Sequence, residues 1–376
     1  MRFSIITICF NEEKRIKGTI SSVKRQVFTD YEYIIKDGAS CDMTVNIVDA
    51  MVDHNRTKVI SKRDTGIYAA MNQALEYAEG EYICFLNCGD YFCDEKTLKR
   101  VNDYILENDG FDFYYGDAVI INPDKSEHHQ TCANIEQRLH DDYIATMASA
   151  SFGIIHQAVF ANKKCFSFDR FNEEYKLRAE LDWYYKCLIN NCRIRKMNFL
   201  VCEYAYGGMS EKIASASQNY DETLRIIKSY GFDPEEYKKY QEKRNQTLSA
   251  FKTIYNKWLI LNRCNISIVD YLRHNGIRRI GIYGYGELGC HLINEMRNSD
   301  IDIVFVSDRL PKKPYSGIPV VRPEDVCEQC VDLLIVTTIS GTSSIVDDYR
   351  NRQIKTESID DIIDSLLYDA IISDDY

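Results

Sequence analysis

Proline is scarce in this 376-residue chain, and no apolar run approaches the roughly 18 residues that a membrane-spanning helix needs. There is no low-complexity tract and no internal repeat, which excludes collagen-like, disordered and solenoid chains. Positive charge is also short: 46 Lys and Arg stand against 57 Asp and Glu, for a net charge of -11. That balance argues against a nucleic-acid partner. An anionic substrate must then be received by something local, such as a bound cation. The opening MRFSIITICFNEE lacks a basic n-region and a small-residue cleavage site, so it reads as a first strand, not a signal peptide. Cysteine is plentiful, 14 in all, but without framework spacing. This is the pattern of reduced, buried thiols in a cytoplasmic protein. The one CxxC, Cys327 to Cys330, has no second pair and reads as structural, neither zinc-binding nor redox-active.

What is present is an alternation of strand and helix signals. FSIITIC is a short apolar run of the buried-strand kind, followed by Ile16, Ile20 and Val23 at helical spacing. YEYIIK (31–36) gives a second strand, a helix starts near Asp42, and KVIS (58–61) gives a third strand. Residues 65–78 carry Ile67, Met71, Leu75 and Ala78 on one helical face and stop before Gly80; YICFL (82–86) is the fourth strand. Such alternation implies a mostly parallel sheet, with ligands at the carboxyl ends of its strands. Asn11, Asp37, Asp64 and the run Asn87 to Asp90 fall there. The stretch 216–270 is helical and rich in Lys, Glu and Tyr, and it reads as a connector between a first domain (1–215) and a second α/β domain (271–376).

Four clusters could carry chemistry. Asn87-Cys88-Gly89-Asp90 after a buried strand suits a hard cation that neutralises a diphosphate, and equally a polar turn. Asp37-Gly38-Ala39-Ser40 with Asp42 could bind a nucleobase or ribose, or merely cap a helix. Arg63 to Tyr68 is a further loop-to-helix junction, with Asp64 near the cap. Ala179-Glu180-Leu181-Asp182-Trp183 places two acids two residues apart, so they do not share a helix face. A general base needs only one of them. His156 with Gln157 offers donors to an acceptor or a phosphate.

Taken together, SIITICFN, IIKDGASCDMT, SKRDTGIYAAMNQAL and GEYICFLNCGDYF resemble the family 2 inverting glycosyltransferases of the GT-A fold. The likeness continues through YYGD (114–117), HQAVF (156–160), RAELDW (178–183) and YGGMS (206–210), and is nearest to bacterial enzymes of surface-polysaccharide synthesis. The resemblance implies a GT-A-type, mostly parallel sheet flanked by helices. Asn11, Asp37 and Asp64 would line the nucleotide pocket, with Asn87 and His156 also on the donor. Asp90 would match the last acid of the metal-binding segment, where Asn87 and Gly89 stand in place of the more usual aspartates. Glu180 falls on the position of the catalytic base, with Asp182 two places on. The implied cofactor is magnesium or manganese. The implied partners are a nucleotide-sugar donor and a saccharide or lipid-linked saccharide acceptor. Peripheral association with the inner face of a membrane, and a homo-oligomer, are compatible with it.

In the last stretch, Gly284-Tyr285-Gly286-Glu287-Leu288-Gly289 follows a strand signal and opens a helix, with Asp308 at the end of the next strand. That is the setting of a dinucleotide fingerprint in a small Rossmann-like domain. Gly284, Gly286, Gly289 and Asp308 are its candidate ligand residues. The rival reading of the whole chain is an NAD-dependent or nucleotide-sensing protein acting through this motif.

Overall fold

The structure, a computed structural model, describes residues 1–121, 127–130, 132–150, 152–205, 215–308, 317–326 and 330–373. The chain divides into two compact units, Met1–Tyr240 and Gln241–Tyr376.

In the first unit the strand and helix signals become β1 (Phe3–Cys9), α1 (Ile16–Lys24), β2 (Tyr31–Asp37), α2 (Thr44–Met51), β3 (Thr57–Ser61), α3 (Ile67–Leu75) and β4 (Tyr82–Phe85). Every residue of β1 is buried, as expected of an apolar run inside a sheet covered on both faces. It pairs in parallel with β2 on one side and β4 on the other. α1 buries Ile16, Ile20 and Val23, the residues whose spacing marks it as amphipathic. α3 is shorter than the pattern over 65–78 suggests. Residues 76–78 close with bonds to the third residue back, so the last turn tightens instead of continuing the α-helix.

The chain goes on through β5 (Tyr91–Phe92), α4 (Thr97–Glu107), β6 (Phe113–Ile121), β7 (Glu127–Gln130), α5 (Ile135–Asp141), α6 (Tyr143–Ser149), β8 (Val159–Asn162), α7 (Cys165–Phe168), α8 (Ala179–Ile189), β9 (Ile194–Ala205), α9 (Ala216–Ser229) and α10 (Glu235–Arg263). The sheet has nine strands in the order β3-β2-β1-β4-β8-β6-β9-β5, with β7 beside β6. β3, β2, β1 and β4 are parallel, and β8 runs antiparallel to both β4 and β6.

The second unit holds α11 (Ile268–His274), β10 (Arg279–Tyr283), α12 (Glu287–Met296), β11 (Asp302–Ser307), β12 (Val320–Val321), β13 (Leu333–Val336), α13 (Thr342–Asn351), β14 (Thr356–Ser358) and α14 (Ile359–Ser373). Its five strands are all parallel, in the order β12-β11-β10-β13-β14. Alternation along β13 builds both faces. Leu333 and Ile335 join a core with α12 and α14, while Leu334 and Val336 join another with Val346 and Tyr349 of α13.

The stretch read as a connector, 216–270, is shared between the units. Ile226, Ile227 and Tyr237 pack in the first core, whereas Ile254, Trp258, Leu261 and Ile268 pack in the second. Between these two sets, residues 242–250 of α10 are exposed and belong to neither core. Of the described cysteines, 12 are free thiols and Cys330 is disulfide-bonded, so the reduced state expected for all of them does not extend to it. Cys327, and the YGGMS motif at 206–210, lie outside the described residues. Among those described, no helix is long and apolar enough to cross a membrane.

Candidate active site

Three of the expected donor-pocket residues meet at the carboxyl ends of β1, β2 and β3. Asp37 is the last residue of β2, paired in register with Cys9, and is 1% exposed. Its Oδ2 accepts the Ser40 amide N–H at 2.9 Å and the Ser61 hydroxyl at 2.6 Å, and its Oδ1 accepts the Ser40 hydroxyl. Ser40 in turn accepts the Asn11 N–H at 2.7 Å, and the Asn11 side chain accepts the Cys41 N–H at 3.0 Å. Asp64 is brought in by Lys36, a fully buried cation in the middle of an apolar strand. Its ammonium donates to Asp64 Oδ2 at 2.9 Å and to the backbone carbonyls of Asp37 and Lys62. A buried charge needs such partners, and here they lock the loop after β3 onto the end of β2. Lys36 was not among the expected site residues, although one Lys between Ile35 and Asp37 was a visible signal.

Asn87 to Asp90 follow β4 as a tight turn. Gly89 sits at φ +96°, in the left-handed region, where an aspartate would be strained. This gives a backbone reason for glycine where related segments carry an acid. Both ends of the turn are held by neighbouring residues of one short 3₁₀ turn (His156–Ala158): Asn87 Nδ2 lies 2.9 Å from His156 Nε2, and Gln157 Nε2 donates to Asp90 Oδ2 at 3.0 Å. Asn87 Oδ1 is buried with no hydrogen-bond partner. Burial holds the His156 imidazole below its usual pKa, partly offset by the Glu180 carboxylate nearby.

Glu180 and Asp182 separate. Glu180, in the first turn of α8, lines a pocket with His156, Tyr68, Phe85, Phe171 and Trp183. Its Oε2 accepts the Tyr68 hydroxyl from α3. Burial, and then the Glu180 charge, push the Tyr68 phenol well above its ordinary pKa, so it stays a neutral donor. Asp182 is 3% exposed and does not line this pocket. Its Oδ1 accepts the Tyr230 hydroxyl at 2.9 Å, and its Oδ2 lies 2.9 Å from the Lys186 ammonium. The structure therefore joins His156 and Glu180 in one pocket, with Asn87 and Asp90 tied to its wall.

A further residue, Glu222 of α9, escaped the sequence reading. Its carboxylate accepts the backbone N–H groups of Lys176, Leu177 and Arg178 at 3.0 Å each, immediately ahead of α8. Nothing local announces a cap that arrives from more than 40 residues away.

In the second unit, Gly284, Gly286, Gly289 and Asp308 also come together. A Cβ on Gly289 would lie 2.1 Å from the Gly284 carbonyl oxygen, so only glycine allows the loop to fold over the start of α12. Asp308 Oδ2 accepts the Tyr285 N–H at 3.0 Å, tying the end of β11 to that loop.

Residues 4–162 match the family described as Glycosyl transferase family 2. This segment is a glycosyltransferase family 2 domain. It is 28% identical over 216 residues to a PGL/p-HBAD biosynthesis glycosyltransferase of Mycobacterium tuberculosis, spanning 56% of this chain and 80% of that protein. It is 32% identical over 119 residues to the UDP-Glc:alpha-D-GlcNAc-diphosphoundecaprenol beta-1,3-glucosyltransferase WfgD of Escherichia coli, spanning 32% of this chain and 46% of WfgD. Among solved structures, Staphylococcus aureus TarS 1-349 in complex with UDP-GlcNAc superposes with a TM-score of 0.50 at 22% identity, covering 63% of this chain and 69% of that one. The glycosyltransferase domain therefore has the GT-A architecture, with its large, partly parallel sheet flanked by helices.

Proposed function

We propose that this glycosyltransferase domain moves a hexosyl or N-acetylhexosaminyl group from a nucleotide-sugar donor to a saccharide or lipid-linked saccharide acceptor, with inversion. The observation that carries the reading is the turn at His156–Ala158. One of its residues faces the Glu180 pocket, and two of them grip the Asn87–Asp90 turn. A candidate base and a candidate diphosphate site are thereby held against one wall. The name of WfgD, with its alpha-D-GlcNAc-diphosphoundecaprenol acceptor, supports an acceptor of this kind. A cytoplasmic reaction, at the inner face of the membrane where the acceptor is lipid-linked, follows from that donor and acceptor chemistry.

In the reaction, the acceptor hydroxyl oxygen bonds to the anomeric carbon as the bond from that carbon to the diphosphate oxygen breaks. The bonding pair leaves with the diphosphate, and Glu180 takes the hydroxyl proton. A single displacement inverts the anomeric centre. Tyr68 orients the Glu180 carboxylate, and the apolar pocket wall limits water that would otherwise compete as acceptor. Asn11, Asp37 and Asp64 shape the strand ends that receive the nucleotide. Magnesium or manganese would be held at the Asn87–Asp90 turn, where the buried Asn87 oxygen has no hydrogen-bond partner and Asp90 supplies a carboxylate, both hard oxygen donors. When bound, such an ion would neutralise charge on the leaving diphosphate.

The test is turnover of UDP-, GDP- and dTDP-sugars with manganese, for wild type and Asp90→Ala. The variant should fold normally and lose metal-dependent turnover. Undiminished activity of Asp90→Ala in the presence of a chelator would remove the metal role.

A further inference from the structure

Cys165, Cys187 and Cys192 lie together in the first unit, and nothing in the glycosyl-transfer scheme uses them. Their sulfur atoms all fall within 4.8 Å of one another, and the Cys165 and Cys192 sulfurs are 3.8 Å apart. All three are buried, at 1%, 0% and 8% exposed. They come from separate elements: Cys165 opens α7, Cys187 lies near the end of α8, and Cys192 follows in the turn to β9.

Backbone bonds hold the cluster in place. Cys192 N–H donates to the Cys187 carbonyl at 2.9 Å, with Asn191 between them at φ +60°. The Cys165 thiol points at the Asp112 carbonyl, 3.6 Å away, and the Asp112 N–H donates to the Arg193 carbonyl at 2.7 Å. These bonds hold the three sulfurs together.

We infer that Cys165, Cys187 and Cys192 supply three of the ligands for one thiophilic divalent ion of the zinc class. Zinc–sulfur bonds of about 2.3 Å place neighbouring sulfurs about 3.8 Å apart in a tetrahedral site. The Cys165–Cys192 separation already has that value, and the third sulfur needs only a small inward shift. An all-sulfur donor set selects zinc or cadmium over magnesium and manganese, so this site and the oxygen donors at Asp90 would not compete for one ion.

Charge balance also suits a dication. Binding as three thiolates releases the thiol protons to solvent and leaves one net negative charge. The Lys164 ammonium, paired with Asp112, stands beside it. The ion would tie α7 to α8 behind the stacked rings of Phe166 and Trp183, whose centroids are 4.6 Å apart and which both line the Glu180 pocket. Its effect is on the stability of that wall, and the inference does not depend on the assigned reaction.

The test uses the full chain, stripped by a chelator and then given zinc in excess magnesium. Wild type should hold one more equivalent of zinc per chain than the Cys165→Ser, Cys187→Ser, Cys192→Ser triple variant. Its melting point should rise by a few degrees on zinc while that of the variant does not. Should the triple variant fail to fold, cadmium titration of wild type alone decides the matter. A thiolate-to-cadmium charge-transfer absorption saturating at one equivalent, with release of protons, is expected. Equal zinc content in both proteins, or no such absorption in wild type, would overturn the site.

Discussion

Two acids two positions apart on a helix point about 200° away from each other, and α8 turns that angle into a difference in environment. Glu180 faces the pocket and accepts from Tyr68, while Asp182 is sealed between Tyr230 and Lys186. Glu180→Gln should therefore lower turnover by roughly a hundred- to ten-thousand-fold, the usual cost of removing a positioned base, and leave donor affinity nearly unchanged. Asp182→Asn should act on stability instead, costing on the order of 3 kcal/mol because the buried Lys186 pairing is weakened. Steady-state kinetics, donor titration and denaturant melts of both variants check the pair; a reversed pattern would exchange the two roles. Tyr68→Phe should reduce turnover about tenfold with an unchanged fold, since it frees the carboxylate without deleting it. Much at this scale was legible in the sequence. Asn11, Asp37, Asp64, Asn87, Asp90, His156 and Glu180 were all singled out from their motifs. The Tyr68 bond was not, because it spans 112 residues and depends on how α3 and α8 lie across the sheet.

Helix α8 follows Arg178, its N-cap, whose side chain makes no capping bond. Glu222 from α9 instead holds the approach to the helix, accepting the N–H groups of Lys176, Leu177 and Arg178. A carboxylate on several N–H groups at a helix N-terminus is favoured both by the bonds and by the helix dipole. Replacing it by glutamine keeps the shape but turns one acceptor into a donor facing other donors. Glu222→Gln should cost about 1–3 kcal/mol of stability, measured by urea denaturation. The turnover number should also fall, with little change in donor binding, because the first turn of α8 carries Glu180. Rates equal to wild type in a destabilised variant would show that the cap serves folding alone. The elements themselves were well marked by period: β1 to β4, α1 and the helices of 216–270 appear where the pattern puts them. Their ends were less so. The end of α3 is set by a tightened last turn that no single residue type announces. The cap on α8 comes from sequence with no local sign of its purpose.

For the whole molecule, the informative segment is α10, which runs from Glu235 to Arg263 across the division between the units. Its sequence is polar enough to read as a connector, and the period alone does not say which core each turn serves. The structure does. Tyr237 belongs to the first core, while Ile254, Trp258 and Leu261 are nearly or fully buried in the second. The two sets of core residues do not overlap, and each unit has a sheet of its own. We therefore expect the glycosyltransferase activity to reside in the first unit, and the place of the cut to matter. A chain ending at Tyr240 should fold, remain monodisperse and hydrolyse donor at a rate near that of the full protein. A chain ending at Leu261 keeps the helix but removes the partners of Ile254, Trp258 and Leu261. A tryptophan alone buries roughly 150–250 Å² of surface, so this longer piece displays an apolar stripe and should self-associate. Light scattering of the two truncated chains, with donor hydrolysis measured on each, separates the cases. If the chain ending at Tyr240 unfolds or loses hydrolysis while the one ending at Leu261 stays soluble and active, the first unit needs the later turns of α10, and the functional division lies beyond residue 240.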